Sequence, residues 1–245
     1  VRASPLSLRH RHAGASELID RPGLDSQILA DNLADIARVN RWLGGTTLSL
    51  QALEVLLSTA PPGPPVSLLD VGTGGADIPS AMTDWARRRG VRLSIVGVDL
   101  SAEILSLAAA GSGRSLALAA ADGRSLPFAD NRFDVATCSL VIHHLDPEAA
   151  VEMLREMERV ARYGVIVNDL TRSWLGYLGA LALAPIASHI PLTRHDGPLS
   201  VRRAYTAAEL VALLRAARLT PAACFNWAGY RTAIAAVSQP GHPGS

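Results

Sequence analysis

Lysine is missing altogether: all 23 basic side chains of the 245-residue chain are arginine. Chemistry that runs through a lysine amine, a Schiff base above all, is thereby excluded. Cysteine occurs only at Cys138 and Cys224, each in or near an apolar strand-like run and without metal-ligand spacing. The pair reads as buried thiols in a reducing compartment, and no metal is expected. Charge is scarce as well, with 18% charged residues, a net charge of +1 and no block of like charge. The electrostatic footprint of a nucleic-acid binder is therefore missing. The basic start, Val1 to His12, has no apolar run of the kind a signal peptide needs. It reads as a disordered leader, and a cytoplasmic location is expected. Trp174 to Ile190 is uncharged, but Gly176, Gly179, Pro185 and His189 interrupt it. It stands at the short limit for a bilayer core of roughly 30 Å, so a lid over an apolar pocket is expected and not a stable membrane span.

Apolar residues make up 49% of the chain, and the length suits one main domain with an appendage. Residues 17 to 59 show helical periodicity through Leu29, Leu33 and Ile36, then Leu48, Leu53 and Leu56, broken at Gly44-Gly45. The run Pro61-Pro62-Gly63-Pro64-Pro65 admits no helix and separates a leader and helical cap (1–60) from the main domain (61–245). Strand-like and helical runs then alternate: Val66 to Val71, a helix at about 76–89, Leu93 to Asp99, a helix at about 102–110, and Leu116 to Ala120. Phe133 to Cys138, a helix from Pro147, Val165 to Asn168, a helix Ala207 to Ala217, and the runs Ala222 to Trp227 and Arg231 to Val237 follow. This is the rhythm of an α/β fold, a Rossmann-like, mostly parallel seven-stranded sheet with helices on both faces. A lid insertion is expected at about 170–205.

The most informative segment is Leu69-Asp70-Val71-Gly72-Thr73-Gly74-Gly75-Ala76-Asp77, an apolar strand ending in a glycine-rich turn that opens a helix. Glycines there permit positive φ and close approach of a ligand to the backbone. A dinucleotide fingerprint wants Gly or Ala where Asp77 stands, and that charge repels a pyrophosphate at a helix N-terminus. S-adenosylmethionine has no phosphate and needs acidic partners instead. Asp70 suits its ammonium, Asp99 at the end of the second strand its ribose hydroxyls, and Asp122, before Gly123, its adenine amine. The same carboxylates can also serve as turn and helix caps.

In order and spacing, the Asp-x-Gly-x-Gly loop, the acid ending the second strand and the Asp122-Gly123 pair resemble the class I S-adenosylmethionine-dependent methyltransferases over about residues 66–237. The resemblance implies a last strand antiparallel to the rest and S-adenosylmethionine as cofactor. It implies cofactor contacts from Asp70, Gly72, Gly74, Asp99, Leu100, Asp122 and Gly123. Ser139 joins this set, and Arg41 in the cap is placed to reach the cofactor carboxylate by its fork geometry, unless it is simply an exposed helical arginine.

After the fourth strand, Ser139-Leu140-Val141-Ile142-His143-His144-Leu145 stands where the methyl group emerges. It is similar to the branch that methylates small molecules and lacks the Pro-Pro-aromatic sequence of base-methylating enzymes. A phenolic acceptor needs a base, and His144 or His143 is the candidate, although paired histidines at such a junction also cap or pack. Asp169 and His195 are candidates for an acceptor hydroxyl, and Arg172, Arg202 and Arg203 for a carboxylate or phenolate, or else for a salt-bridge network fixing the lid. These segments, with Glu17 to Asp20 and Ala37 to Arg41, resemble methyltransferases found beside bacterial type III polyketide synthases. That resemblance implies a phenolic or quinonoid small-molecule acceptor of secondary metabolism. O-methylation, C-methylation of a quinone-like ring, and cofactor binding without turnover all stay open.

Overall fold

A computed structural model describes residues 8–21, 23–58, 65–112 and 116–238. Seven strands form one sheet, β1 (Val66–Val71), β2 (Leu93–Asp99), β3 (Ala117–Ala120), β4 (Phe133–Ser139), β5 (Ala161–Leu170), β6 (Leu219–Trp227) and β7 (Arg231–Ser238). Their order is β3-β2-β1-β4-β5-β7-β6. All pair in parallel except β7, which runs antiparallel to both β5 and β6. The order reverses between β1 and β4, and at such a switch point the carboxyl ends of the strands part to leave a crevice.

Alternation along the strands explains the two cores. Leu69 and Val71 face one side with Ala136, Val165 and Ile234, against α5 (Pro147–Val160) and α8 (Ala207–Ala216). Leu68, Val135, Ile166 and Ala235 face the other side, against α2 (Gly45–Ser58) and α3 (Asp77–Arg88). The central strands bury both faces and so read as continuous apolar runs. Leu53 and Leu56 of α2 are fully buried, so this cap helix is part of the core. α1 (Ser26–Trp42), capped by the Asp25 carboxylate accepting from Gln27 N and Ile28 N, and α4 (Ala102–Ser112) complete that side. The Pro61 to Pro64 stretch lies outside the described residues.

Three expectations need correction. β6 starts at Leu219 and not Ala222, because it is an edge strand that accommodates Pro221 at a register shift. β5 starts at Ala161, directly after α5, its polar Arg162 and Tyr163 having masked the first turn of strand. The insertion expected as a lid is two helices, α6 (Trp174–Ala187) and α7 (Pro191–Arg203). α7 faces the crevice, whereas the apolar α6 stands outside it with Leu175, Leu178 and Leu181 exposed. Among the described residues no helix is long and apolar enough to cross a membrane.

The leader is packed where it is described. Arg11 donates from Nε to Arg203 O at 2.6 Å and from Nη2 to His143 O and Leu145 O at 2.9 and 2.7 Å. One guanidinium thus satisfies three carbonyls, and residues 8–12, expected to be part of a disordered leader, are held in place.

Candidate active site

A cleft of about 400 Å³ opens at the carboxyl ends of β1, β2 and β4. Its floor is the glycine turn. Gly72 N and Thr73 N donate to Val98 O at 2.8 and 2.9 Å, which pins the turn to β2. Gly72 has φ +69°, and a Cβ there falls 2.4 Å from Val141 Cγ2, so only glycine fits. Gly74, at φ +52°, donates its N–H to Asp99 Oδ2 at 3.0 Å. The other oxygen of Asp99 accepts from Ser101 N at 3.0 Å. Asp99 therefore has the capping role as well as a place in the cleft wall.

Asp70 is buried at the end of β1, and its Oδ1 has no hydrogen-bond partner. Burial, with the like charges of Asp77 and Asp99 adding, pushes its carboxyl up to about 7. An orphaned carboxylate oxygen in a cleft wall is a site for a cationic donor, and the ammonium of S-adenosylmethionine is one. Leu100 is exposed at the rim, and Gly123 packs so tightly that a Cβ falls 2.7 Å from Val71 Cγ1. Asp122 is engaged by Arg124, whose Nη2 donates at 2.7 Å, and that bond holds its carboxyl below the usual range. Ser139 lies in the same wall and accepts from Arg231 Nη2 at 3.1 Å.

At the other end, the 3₁₀ turn Ile142–His144 presents two imidazoles. His143 is buried, its N–H and Nδ1 reaching the two oxygens of Asp169 at 3.1 and 2.6 Å. Burial alone lowers an imidazole, but the Asp169 carboxylate outweighs it and holds His143 above its ordinary value. His144 is more exposed, with Nδ1 3.2 Å from Asp20 Oδ1. Glu17, at 3% exposure, stands between them: its Oε1 is 3.6 Å from His143 Nε2 and its Oε2 3.8 Å from His144 Nε2. The turn itself is held by Arg203, which donates from Nη2 to His144 O at 2.7 Å, and by Arg11.

The predicted acceptor residues divide. Asp169 is brought to the site, behind His143. Arg172 is not; it is buried, donating to Leu8 O, Ala204 O and Glu209 Oε1, and it fixes the start of α6. Arg202 approaches His12 outside the cleft, and His195 is half exposed against Asp196. Arg41 lies at the exposed end of α1 with its guanidinium 5.3 Å from the Trp42 ring centroid, and the neighbouring Asn40 lines the cleft in its place. In each case the charge serves a local partner, because a long side chain follows the nearest carbonyl or ring and not its sequence distance from a motif.

Several functional residues escaped the sequence reading. Asp196 accepts from Leu18 N and Ile19 N at 2.9 and 3.0 Å, tying α7 to the segment that carries Glu17. Asn40 donates to Asp77 at 2.9 Å. Arg231, fully buried, donates to Asn168 and Ser139; burial lowers it to about 10, which leaves it charged at neutral pH. The one signal for it is an arginine opening an otherwise apolar strand.

Comparison with known proteins agrees with this geometry. Residues 69–167 match the model of a family described as a methyltransferase domain. An uncharacterized protein of Mycobacterium tuberculosis is 31% identical over 201 residues, covering 76% of this chain and 68% of its own. The chain belongs to the family of that protein and carries a methyltransferase domain over residues 69–167. Its cofactor is S-adenosylmethionine. A demethylmenaquinone methyltransferase of Corynebacterium kroppenstedtii is 44% identical over 70 residues, 29% of this chain and 28% of that protein. Among solved structures, an S-adenosylmethionine-dependent methyltransferase of Aquifex aeolicus superposes with a TM-score of 0.59 at 17% identity, covering 87% of this chain and 98% of its own. That likeness carries the fold.

Proposed function

We propose that this methyltransferase O-methylates a small apolar phenolic or polyketide-derived acceptor, seated between the glycine turn, α1, α7 and the His143–His144 turn. The observation that carries the reading is the Glu17, His143, His144 and Asp20 cluster at one end of a cleft whose other end has the cofactor motifs. Asp70, Gly72, Gly74, Asp99, Leu100, Asp122, Gly123 and Ser139 hold the cofactor. Bound there, S-adenosylmethionine supplies a sulfonium methyl group whose bonding pair leaves with sulfur, giving a neutral thioether. Leu33, Ile36, Val39 and Leu170 supply the apolar walls that orient an aromatic acceptor and exclude water. The cluster takes the acceptor's hydroxyl proton, so that oxygen attacks as phenolate. Asp169 fixes the ring of His143, and this gives His143 precedence over His144. Both cysteines are free, Cys138 buried and Cys224, contrary to the sequence expectation, exposed on the edge strand β6, and free thiols fit a cytoplasmic, reducing setting.

A second reading, C-methylation of a quinone-like ring, draws on the match to the demethylmenaquinone methyltransferase. Incubation of the protein with S-adenosylmethionine and a panel of phenols and hydroxyquinones, with mass analysis of the products, separates the two. O-methyl ethers support the first reading; ring-methylated products alone replace it with the second; no product from any acceptor rejects both. His143→Ala should lower turnover about 10²- to 10⁴-fold with cofactor affinity retained.

A further inference from the structure

We infer that Glu17, His143 and His144 hold a divalent transition-metal cation of the Zn²⁺ class at the acceptor end of the cleft. The sequence gives no such expectation, since Glu17 reaches the two histidines only through the fold. One ligand atom from each of the three lies within 4.8 Å of the others.

The tautomers make the case. Nδ1 of His143 is 2.6 Å from an Asp169 oxygen and Nδ1 of His144 is 3.2 Å from an Asp20 oxygen. A carboxylate only accepts, so each Nδ1 carries the hydrogen; Asp169 and Glu17 favour the charged ring of His143 when no cation is bound, and a bound cation takes the place of the Nε2 proton, so that both Nε2 lone pairs point inward. Those lone pairs face the Glu17 oxygens at 3.6 and 3.8 Å. The separations are too long for hydrogen bonds. They come within about half an ångström of the spacing of neighbouring ligands around one ion, which for bonds of about 2.0–2.1 Å and tetrahedral angles is about 3.3 Å. Each imidazole thus has the carboxylate partner that metal-bound histidines characteristically have on the second nitrogen.

A second, independent observation is the orphaned oxygen. Glu17 is 3% exposed, and its Oε1 has no hydrogen-bond partner. The nearest cation, Arg203, stands 3.9 Å away and donates instead to backbone carbonyls. With the imidazoles acting as ligands, Glu17 and Asp20 share the one guanidinium of Arg203 at 3.9 and 3.7 Å, and Asp169 shares the field of the buried Arg231 with Asp77. Arg11 is paired with Asp146, and Asp196 is occupied by backbone N–H groups. A dication neutralises the excess. Two imidazoles and one carboxylate are the donor set of catalytic zinc sites, which leave a position open.

The role of the ion rests on the methyl-transfer reading given above. An acceptor hydroxyl binding at the open position releases its proton to water, and the oxygen, held by the cation, keeps a lone pair for the methyl carbon. The imidazole nitrogens are then ligands, and the cation supplies the acidity.

The test uses Co²⁺ as probe on the whole chain, stripped with chelator and passed through a desalting column. Wild type should retain one Co²⁺ per chain by elemental analysis, with visible d–d bands of a four- or five-coordinate site. Glu17→Gln and His143→Ala should lose both, while Asp169→Asn should weaken binding about 10- to 100-fold. Circular dichroism and S-adenosylmethionine calorimetry establish that each variant folds and keeps the cofactor end. Co²⁺ retention no greater in wild type than in Glu17→Gln overturns the site, as does binding whose visible bands are those of the aqueous ion. Methyl transfer that continues unchanged in the stripped, metal-free protein overturns the ion's role and leaves the methyl-transfer reading intact. Co²⁺ bound stoichiometrically by a protein that methylates no acceptor supports the site and rejects that reading.

Discussion

A buried carboxyl group stays ionised only where a cation or donors offset its desolvation, and Asp70 has neither on its Oδ1. Its value of about 7 therefore links folding, pH and cofactor binding at one atom. Between the ordinary carboxyl value and 7 the folded protein holds a proton that the unfolded chain has released, so stability of the free protein falls as pH rises through that window. The loss amounts to at most about 4 kcal/mol over the whole window, and urea melts at pH 5 and 8 should show about 3 kcal/mol of it in wild type and none in Asp70→Asn. The cofactor's ammonium reverses the preference. Affinity for S-adenosylmethionine should drop by about tenfold per pH unit below 7, and calorimetry in buffers of different ionisation enthalpy should show proton release on binding. Asp99 tests the same wall differently. Its carboxylate holds Gly74 N and Ser101 N, so Asp99→Ala should weaken cofactor binding by about 1.5–3 kcal/mol for each charge-assisted bond lost. Unchanged affinity in a folded Asp99→Ala protein confines Asp99 to capping.

At the scale of elements, the two lid helices should respond oppositely to substitution. Leu178 and Leu181 of α6 are 56% and 45% exposed, so Leu178→Ser or Leu181→Ser should change stability by less than about 0.5 kcal/mol. Asp196 of α7 accepts two backbone N–H groups from the segment that carries Glu17, and Asp196→Ala should cost about 1–3 kcal/mol and slacken that end of the cleft. Thermal melts of the three variants decide it; equal effects mean that α7 does not anchor the segment. The contrast also marks what was legible in the sequence. β1, its glycine turn and Asp99 are local, because strand, turn and helix start follow one another, and their residue types have few other uses at that spacing. The apolar stretch Trp174 to Ile190 drew the lid expectation because burial was read from hydropathy alone. The polar helix after it, with Pro198 and Gly197 inside, forms the wall instead. Arg172, Arg202 and Arg41 stayed open between a site role and a local one for the complementary reason: an arginine states its charge in the sequence but not its partner. Glu17 and Asp20 were visible as residues. Their place against His143 and His144 depends on α7 and the leader folding over the sheet, a long-range arrangement with no periodicity to announce it.

At the scale of the molecule, the cofactor should stabilise the whole chain, since its cleft joins the sheet's switch point to α1 and α7. A ligand that binds only the folded state adds about 2.7 kcal/mol at a concentration of 100 Kd. For a chain of this size each kcal/mol is worth about 2–4 °C, so saturating S-adenosylmethionine or its demethylated product should raise Tm by about 5–10 °C. NAD should raise it not at all. Its pyrophosphate has to meet the helix that starts at Asp77, beside Asp70 and Asp99, and three carboxylates at that N-terminus oppose the anion that a dinucleotide site attracts. Differential scanning fluorimetry with the two ligands at equal concentration is enough. A shift with NAD matching that with S-adenosylmethionine places the pyrophosphate where the ammonium was assigned. No shift with either, in a protein that melts cooperatively, removes the cofactor from the cleft. Repeating the scan at pH 6 and pH 8 adds an internal check. If Asp70 is the ammonium's partner, the shift with S-adenosylmethionine should be smaller at pH 6, where the carboxyl is protonated before the ligand arrives.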